Sequence, residues 1–126
     1  MIKNFYSSNV ALVFTMLILS VMGLRGQSVL TNSGGLSISG NTTITVLGSV
    51  ENNSGAVVDE LALTSSAVVS DDITNNGIID GRGSITLNGD WYNNNIFTCH
   101  TGIVNFSGVD QSLSGSVSST FYDLNL

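Results

Sequence analysis

The chain has 126 residues, of which 10% are charged, with 14 Gly, no Pro and a single Cys. Without residues 1–26, which have the form of a leader, Lys3 and Arg25 are gone, and Arg82 stands alone against nine acidic side chains, a formal charge of −8. That balance excludes nucleic-acid binding, which needs basic side chains to neutralise phosphates, and disfavours anionic membrane surfaces. The lone Cys99 excludes an intramolecular disulfide.

In chain order, Lys3 is followed by an apolar run from Val10 to Leu24, broken by Thr15, Ser20 and Gly23. With small residues at Gly26 and Ser28 this predicts a secretory signal helix over 1–26, cut between Gly26 and Gln27, with the bond after Ser28 second. The rival is an uncleaved membrane anchor, for which the run falls short of the roughly 20 residues of a full span. No Cys near the cut could carry lipid. What remains, 27–126, is enough for one domain. With no staple, its stability must come from burial. Few Lys, Glu and Ala and many Asn, Ser, Thr, Gly and Val argue against helix throughout.

Leu36-x-Ile38-x-Gly40 predicts an early strand or a cap. A register then repeats three times: Ile44-x-Val46, Val50 and Asn52-Asn53; Ala67-x-Val69, Ile73 and Asn75-Asn76; Ile85-x-Leu87, Trp91 and Asn93-Asn94. Apolar residues two apart share one face of a strand. A strand so short cannot bury that face alone, and a repeat of about 20 residues is a usual stacking unit. Asn suits the corners, because it tolerates left-handed backbone angles and bonds its own backbone; stacked Asn can also form amide ladders. The pattern predicts an all-β, right-handed β-helix-like parallel solenoid with about 18–23 residues per coil. An antiparallel sandwich is the alternative.

Between the copies, Val57-Val58 and Leu61-x-Leu63 supply further strands, Asp59-Glu60 and Asp71-Asp72 are expected corners, and Gly81-Arg82-Gly83 a turn. Trp91 replaces Val50 and Ile73, which predicts a wider coil or a partly exposed ring. Val104-x-Phe106-x-Gly108 and Tyr122-x-Leu124-x-Leu126 continue the series. Residues 107–120 are expected to be a loose coil anchored by Val109, Leu113 and Val117.

Gly102-Ile103-Val104-Asn105-Phe106-Ser107-Gly108, then Gln111-Ser112-Leu113-Ser114-Gly115, then Phe121-Tyr122-Asp123-Leu124, resembles a repeat of large secreted surface proteins of Bacteroidetes-type bacteria. The resemblance covers roughly residues 70–126. It implies β-helix-like repeats, an outer-surface location, no catalytic residues, and a chain that is a fragment of a longer one. A C-terminal sorting domain, which such proteins often carry, is not found here.

Asp71, Asp72, Asp80 and Asp90 could form a carboxylate pair for glycoside hydrolysis, but solvated corners explain them. A polysaccharide lyase generally needs Lys or Arg, and Arg82 is alone. Cys99 and His100 are adjacent and point to opposite strand faces, without zinc spacing. Calcium on acidic corners lacks a recognisable loop. No cofactor is implied. Trp91 and Tyr92 are the best candidate glycan contacts, since exposed aromatic rings stack on sugars, although strand alternation turns one inward. The corner Asn residues Asn52, Asn53, Asn75, Asn76, Asn93 and Asn94 are structural.

The expected function is that of a non-enzymatic, secreted or cell-surface, adhesin-like repeat protein, its coils a stalk or contact surface. The alternative is a carbohydrate-binding module of a secreted assembly. Expected partners are a glycan or a host or neighbouring cell surface, with no membrane insertion after cleavage. End-to-end self-association through the C-terminal strand edge is also expected.

Overall fold

A computed structural model describes residues 28–60 and 64–126. The signal helix expected over 1–26 and the strand expected at Leu61-x-Leu63 lie outside the described residues. Among those described there is no helix, and so none long and apolar enough to cross a membrane.

The chain winds through about five coils, of which the first four each pass three short strands and the fifth two. The strands are β1 Val29–Asn32, β2 Gly35–Ile38 and β3 Thr43–Val46; β4 Ser49–Asn52, β5 Val57–Glu60 and β6 Ser66–Val69; β7 Ile73–Asn75, β8 Ile78–Gly81 and β9 Ser84–Leu87; β10 Trp91–Asn93, β11 Ile96–Cys99 and β12 Ile103–Phe106; and β13 Leu113–Ser114 and β14 Asp123–Asn125. Three parallel sheets result, ordered β1-β4-β7-β10-β13, β2-β5-β8-β11 and β3-β6-β9-β12-β14. The fifth coil reaches the second sheet through a single bridge, Thr98 to Thr120. The fold is the parallel β-solenoid that the repeat register predicts. Equivalent residues of successive coils are 20, 23, 18 and 22 positions apart.

The three-copy register straddles the corner between the third and first sheets: Ile44-x-Val46 lies in β3 and Val50 with Asn52 in β4. Strands alternate outward and inward residues, as β8, β11 and β12 show most clearly. The apolar columns that alternation produces are continuous. Val50, Ile73, Trp91 and Leu113 stack on the first sheet, Leu36, Val58, Ile79 and Phe97 on the second, and Val46, Val69, Leu87 and Phe106 on the third. Each column buries one coil's side chains on the next, which substitutes for the two-sided cover a single short strand lacks.

Coils one to three are filled by aliphatic side chains around a residual void of about 50 Å³. The fourth coil is aromatic. Trp91 meets Phe97 edge-on at 4.8 Å between ring centres, and Phe121 of the fifth coil closes over both at 5.9 and 5.3 Å.

Four local expectations are corrected. Trp91 is not partly exposed: its accessibility is 0%, because Phe97 and Phe121 wall it in and its Nε1 donates to Ser119 Oγ at 2.9 Å. Asp59 and Glu60 are not a corner but the end of β5. The Asn pairs do not use left-handed angles; among described residues other than Gly, Asp110 alone has a positive φ. Val109, Leu113 and Val117 do not anchor the loop over 107–120: they are 87%, 46% and 45% exposed.

Candidate functional site

The first Asn of each pair ends a strand of the first sheet with its side chain inward, forming a ladder along the axis. Asn32 Nδ2 donates to Asn52 Oδ1, Asn52 to Asn75 and Asn75 to Asn93, at 2.9, 2.9 and 2.8 Å. Each amide also donates across the coil to a carbonyl of the second sheet, those of Val57, Ile78 and Ile96 respectively. Asn52, Asn75 and Asn93 are fully buried, so the ladder satisfies polar groups that would otherwise oppose burial. The second Asn of each pair faces outward: Asn94 Nδ2 donates to Asn76 Oδ1 at 2.9 Å, and Asn53 Nδ2 to Ser33 Oγ at 2.8 Å.

In the fifth coil the ladder position is Gly115, with φ 128°. A Cβ there would overlap the Asn93 carbonyl, so the ladder ends at Asn93, whose Nδ2 donates to Val117 O at 3.3 Å. Gln111 fastens the preceding corner. Its Oε1 accepts from Gly108 N at 2.7 Å, and its Nε2 donates to Leu87 O at 3.2 Å and to Gly89 O. Gly108, Gln111, Gly115 and Phe121 of the repeat-like motif thus all have structural work.

Asp72 and Asp90 line the corner between the third and first sheets. Asp72 Oδ1 accepts from Asp90 N, and Asp90 Oδ1 from Ser112 N, each at 2.8 Å, so each carboxylate clamps the next coil's backbone. Tyr92 OH donates to Asp90 Oδ2 at 2.9 Å. The Ser112 amide, then the Tyr92 hydroxyl, holds the Asp90 carboxyl below its ordinary pKa, and the bond to Asp90 together with its charge raises that of Tyr92. Of the two candidate glycan contacts, Trp91 has no accessible ring face, while Tyr92 points outward with its hydroxyl engaged.

The structure brings together a group that sequence reasoning had dispersed. Asp59 of β5 and Asp80 of β8 are register partners on the outer face of the second sheet. Strands so paired lie about 4.8 Å apart, which would make two bare carboxylates repel. His100 Nε2 lies 2.6 Å from Asp80 Oδ1, and Arg82 Nε 3.9 Å from the same atom. The imidazole N–H is not aligned for a regular hydrogen bond, yet at that separation the contact is an ion pair whenever the ring is protonated. Asp59 Oδ1 is shielded from solvent and has no hydrogen-bond partner among the described residues.

Beside the carboxylates run Val57, Ile78 and Ile96, one per coil, with Ile78 36% and Ile96 51% exposed. The sequence signal was the recurrence of Ile78-x-Asp80 in Ile96-x-Thr98, which Val57-x-Asp59 shares only after the longer turn of the second coil. Cys99 is buried on the opposite side of its strand, its Sγ donating to Gly102 O at 3.3 Å, so Cys99 and His100 do not converge. Among the described residues, no three His, Cys, Asp or Glu side chains converge on a metal position. No protein-family model, curated protein or solved structure matches the chain.

Proposed function

We propose that this chain is a non-enzymatic structural segment of a secreted cell-surface protein, its stacked coils serving as a stalk and contact surface. The observation that carries this is the unbroken axial ladder of buried amides from Asn32 to Asn93, which makes the stack a continuously bonded rod. The apolar leader-like run over Val10–Leu24 supports export, and the acidic balance supports solubility outside the cell.

The test is fractionation of cells and medium, probed with an antibody against residues 70–95, with the intact mass of the captured species. Surface or medium location is expected; confinement to the cytoplasm would overturn the proposal. The mass separates a piece of a long adhesin-like protein from a species of this chain's size. A carbohydrate-binding role is the second proposal, favoured by the column of half-buried Val57 and exposed Ile78 and Ile96 beside two carboxylates. A second copy of the chain pairing along the β13–β14 edge is a further proposed partner.

A further inference from the structure

The boundaries between coils are made alike. All strand pairs among the described residues are parallel. On the first sheet the amides of Val50, Ile73 and Trp91 donate forward to Asp72 O, Asp90 O and Ser112 O. The amides of Asn53, Asn76 and Asn94 donate back to Asn32 O, Asn52 O and Asn75 O. We propose that the fifth coil of one copy receives the first coil of a second copy through the same bonds, head to tail, so that copies stack into a filament. The proposal rests on the pairing along the β13–β14 edge and names the surface of the second copy that fills it.

The two end faces match. Within the stack the inward columns are closed: Ile73, Ile85 and Val104 are 4%, 6% and 0% exposed. At the first and fifth coils the same columns open. Leu30, Leu36, Ile44, Phe121 and Leu124 are half-buried, and Leu113 is 46% exposed. An open trough of about 370 Å³ lined by Trp91, Leu113, Val117 and Phe121 leaves room for side chains of a further coil. Leu113 continues the column of Leu30, Val50, Ile73 and Trp91, and Leu124 that of Ile44, Ala67, Ile85 and Val104. Laying the second copy's β1 on β13 and its β3 on β14 sets its Leu30 over Leu113 and its Ile44 over Leu124, closing both columns. In that register the Leu113 amide faces the second copy's Val29 O, and the second copy's Ser33 amide faces Gly115 O, repeating the bonds between earlier coils.

Charge and symmetry select this joint over its alternatives. The fifth coil carries Asp110 and Asp123, so joining two fifth coils crowds four carboxylates at one boundary. Residues 28–50 carry no charged side chain, so a first coil meets the acidic one without repulsion. Joining two first coils costs no charge, but any two-fold pairing turns the strands antiparallel or the cores apart. Only the head-to-tail joint keeps the parallel register and all the columns. Such a joint is heterologous, and along a rod it does not close, so it yields filaments.

The experiment expresses the full chain with its leader, purifies the exported form, and follows it by sedimentation velocity and negative-stain electron microscopy. Wild type is expected to grow with concentration into unbranched rods. Leu30→Glu spoils the first coil's face and Leu113→Glu the fifth's. Each variant alone should stay monomeric where wild type forms rods, and an equal mixture of the two should give a species of twice the monomer mass and nothing longer. If circular dichroism shows either variant unfolded, Ile44→Glu or Leu124→Glu takes its place. A dimer of Leu30→Glu alone means fifth coil on fifth coil, which overturns the head-to-tail joint and spares the β13–β14 pairing. A dimer of Leu113→Glu alone, rods indifferent to both variants, or a wild type monomeric at millimolar concentration overturns both. A monomer at the cell surface still leaves the stalk standing.

Discussion

Replacing Asn75 by Ala tests whether the amide ladder holds the coils together. Asn75 is fully buried, with four hydrogen bonds. Its Oδ1 accepts from Asn52 Nδ2 and from Gly77 N, and its Nδ2 donates to Asn93 Oδ1 and Ile96 O. After truncation Asn52 Nδ2 keeps Ile78 O at 3.0 Å, so its loss is partial. Asn93 Oδ1, Gly77 N and Ile96 O each lose the Asn75 partner. Leaving a buried polar group unpaired costs about 1–3 kcal/mol. With the two interior groups at the middle of that range and the part-buried Ile96 carbonyl at the low end, Asn75→Ala should lose about 5 kcal/mol, a large fraction of the stability of a domain this size. The control is Asn53→Ala, which removes one exposed bond to Ser33 and should cost less than about 0.5 kcal/mol. Urea unfolding followed by Trp91 fluorescence and circular dichroism measures both. A loss under about 1 kcal/mol in Asn75→Ala, or an equal loss in Asn53→Ala, would refute the ladder as the axial fastener.

Two further outcomes follow from the aromatic coil and its corner. Trp91→Ala removes the ring that Phe97 and Phe121 enclose and should cost about 4 kcal/mol by chemical denaturation. Wild-type Trp91 emission should be blue-shifted and move red on unfolding. The Asp90–Tyr92 contact should give stability at both ends of the pH scale. Asp90 is depressed in the fold, so its contribution is present above the unfolded carboxylate pKa and is lost as pH falls through the lower folded value. Tyr92 is raised, so its contribution is present below the unfolded phenol pKa and is lost as pH rises through the higher folded value. Tyr92→Phe should remove the alkaline dependence and shrink the acid one; melting curves across pH that match wild type would refute the assignment.

What the sequence by itself determined is whatever repeats along it. The spacing of Val50, Ile73 and Trp91 before their Asn pairs is a local period, and stacking follows because one coil cannot bury its own apolar side chains. Asn52, Asn75 and Asn93 were legible for the same reason, although their work is inward amide bonding rather than left-handed turning. The tertiary structure alone decided what lies side by side. Asp59 lies beside Asp80 only because β5 and β8 pair in parallel register, a lateral relation across about 20 residues that no local pattern records. The ring of Trp91 is buried because Phe121, 30 positions later, folds back over it. His100 lies against Asp80 because it directly follows β11, the neighbour of Asp80's strand β8 in the second sheet. Periodicity dictates the coil; register between coils places the carboxylates, the imidazole and the aliphatic column on one face.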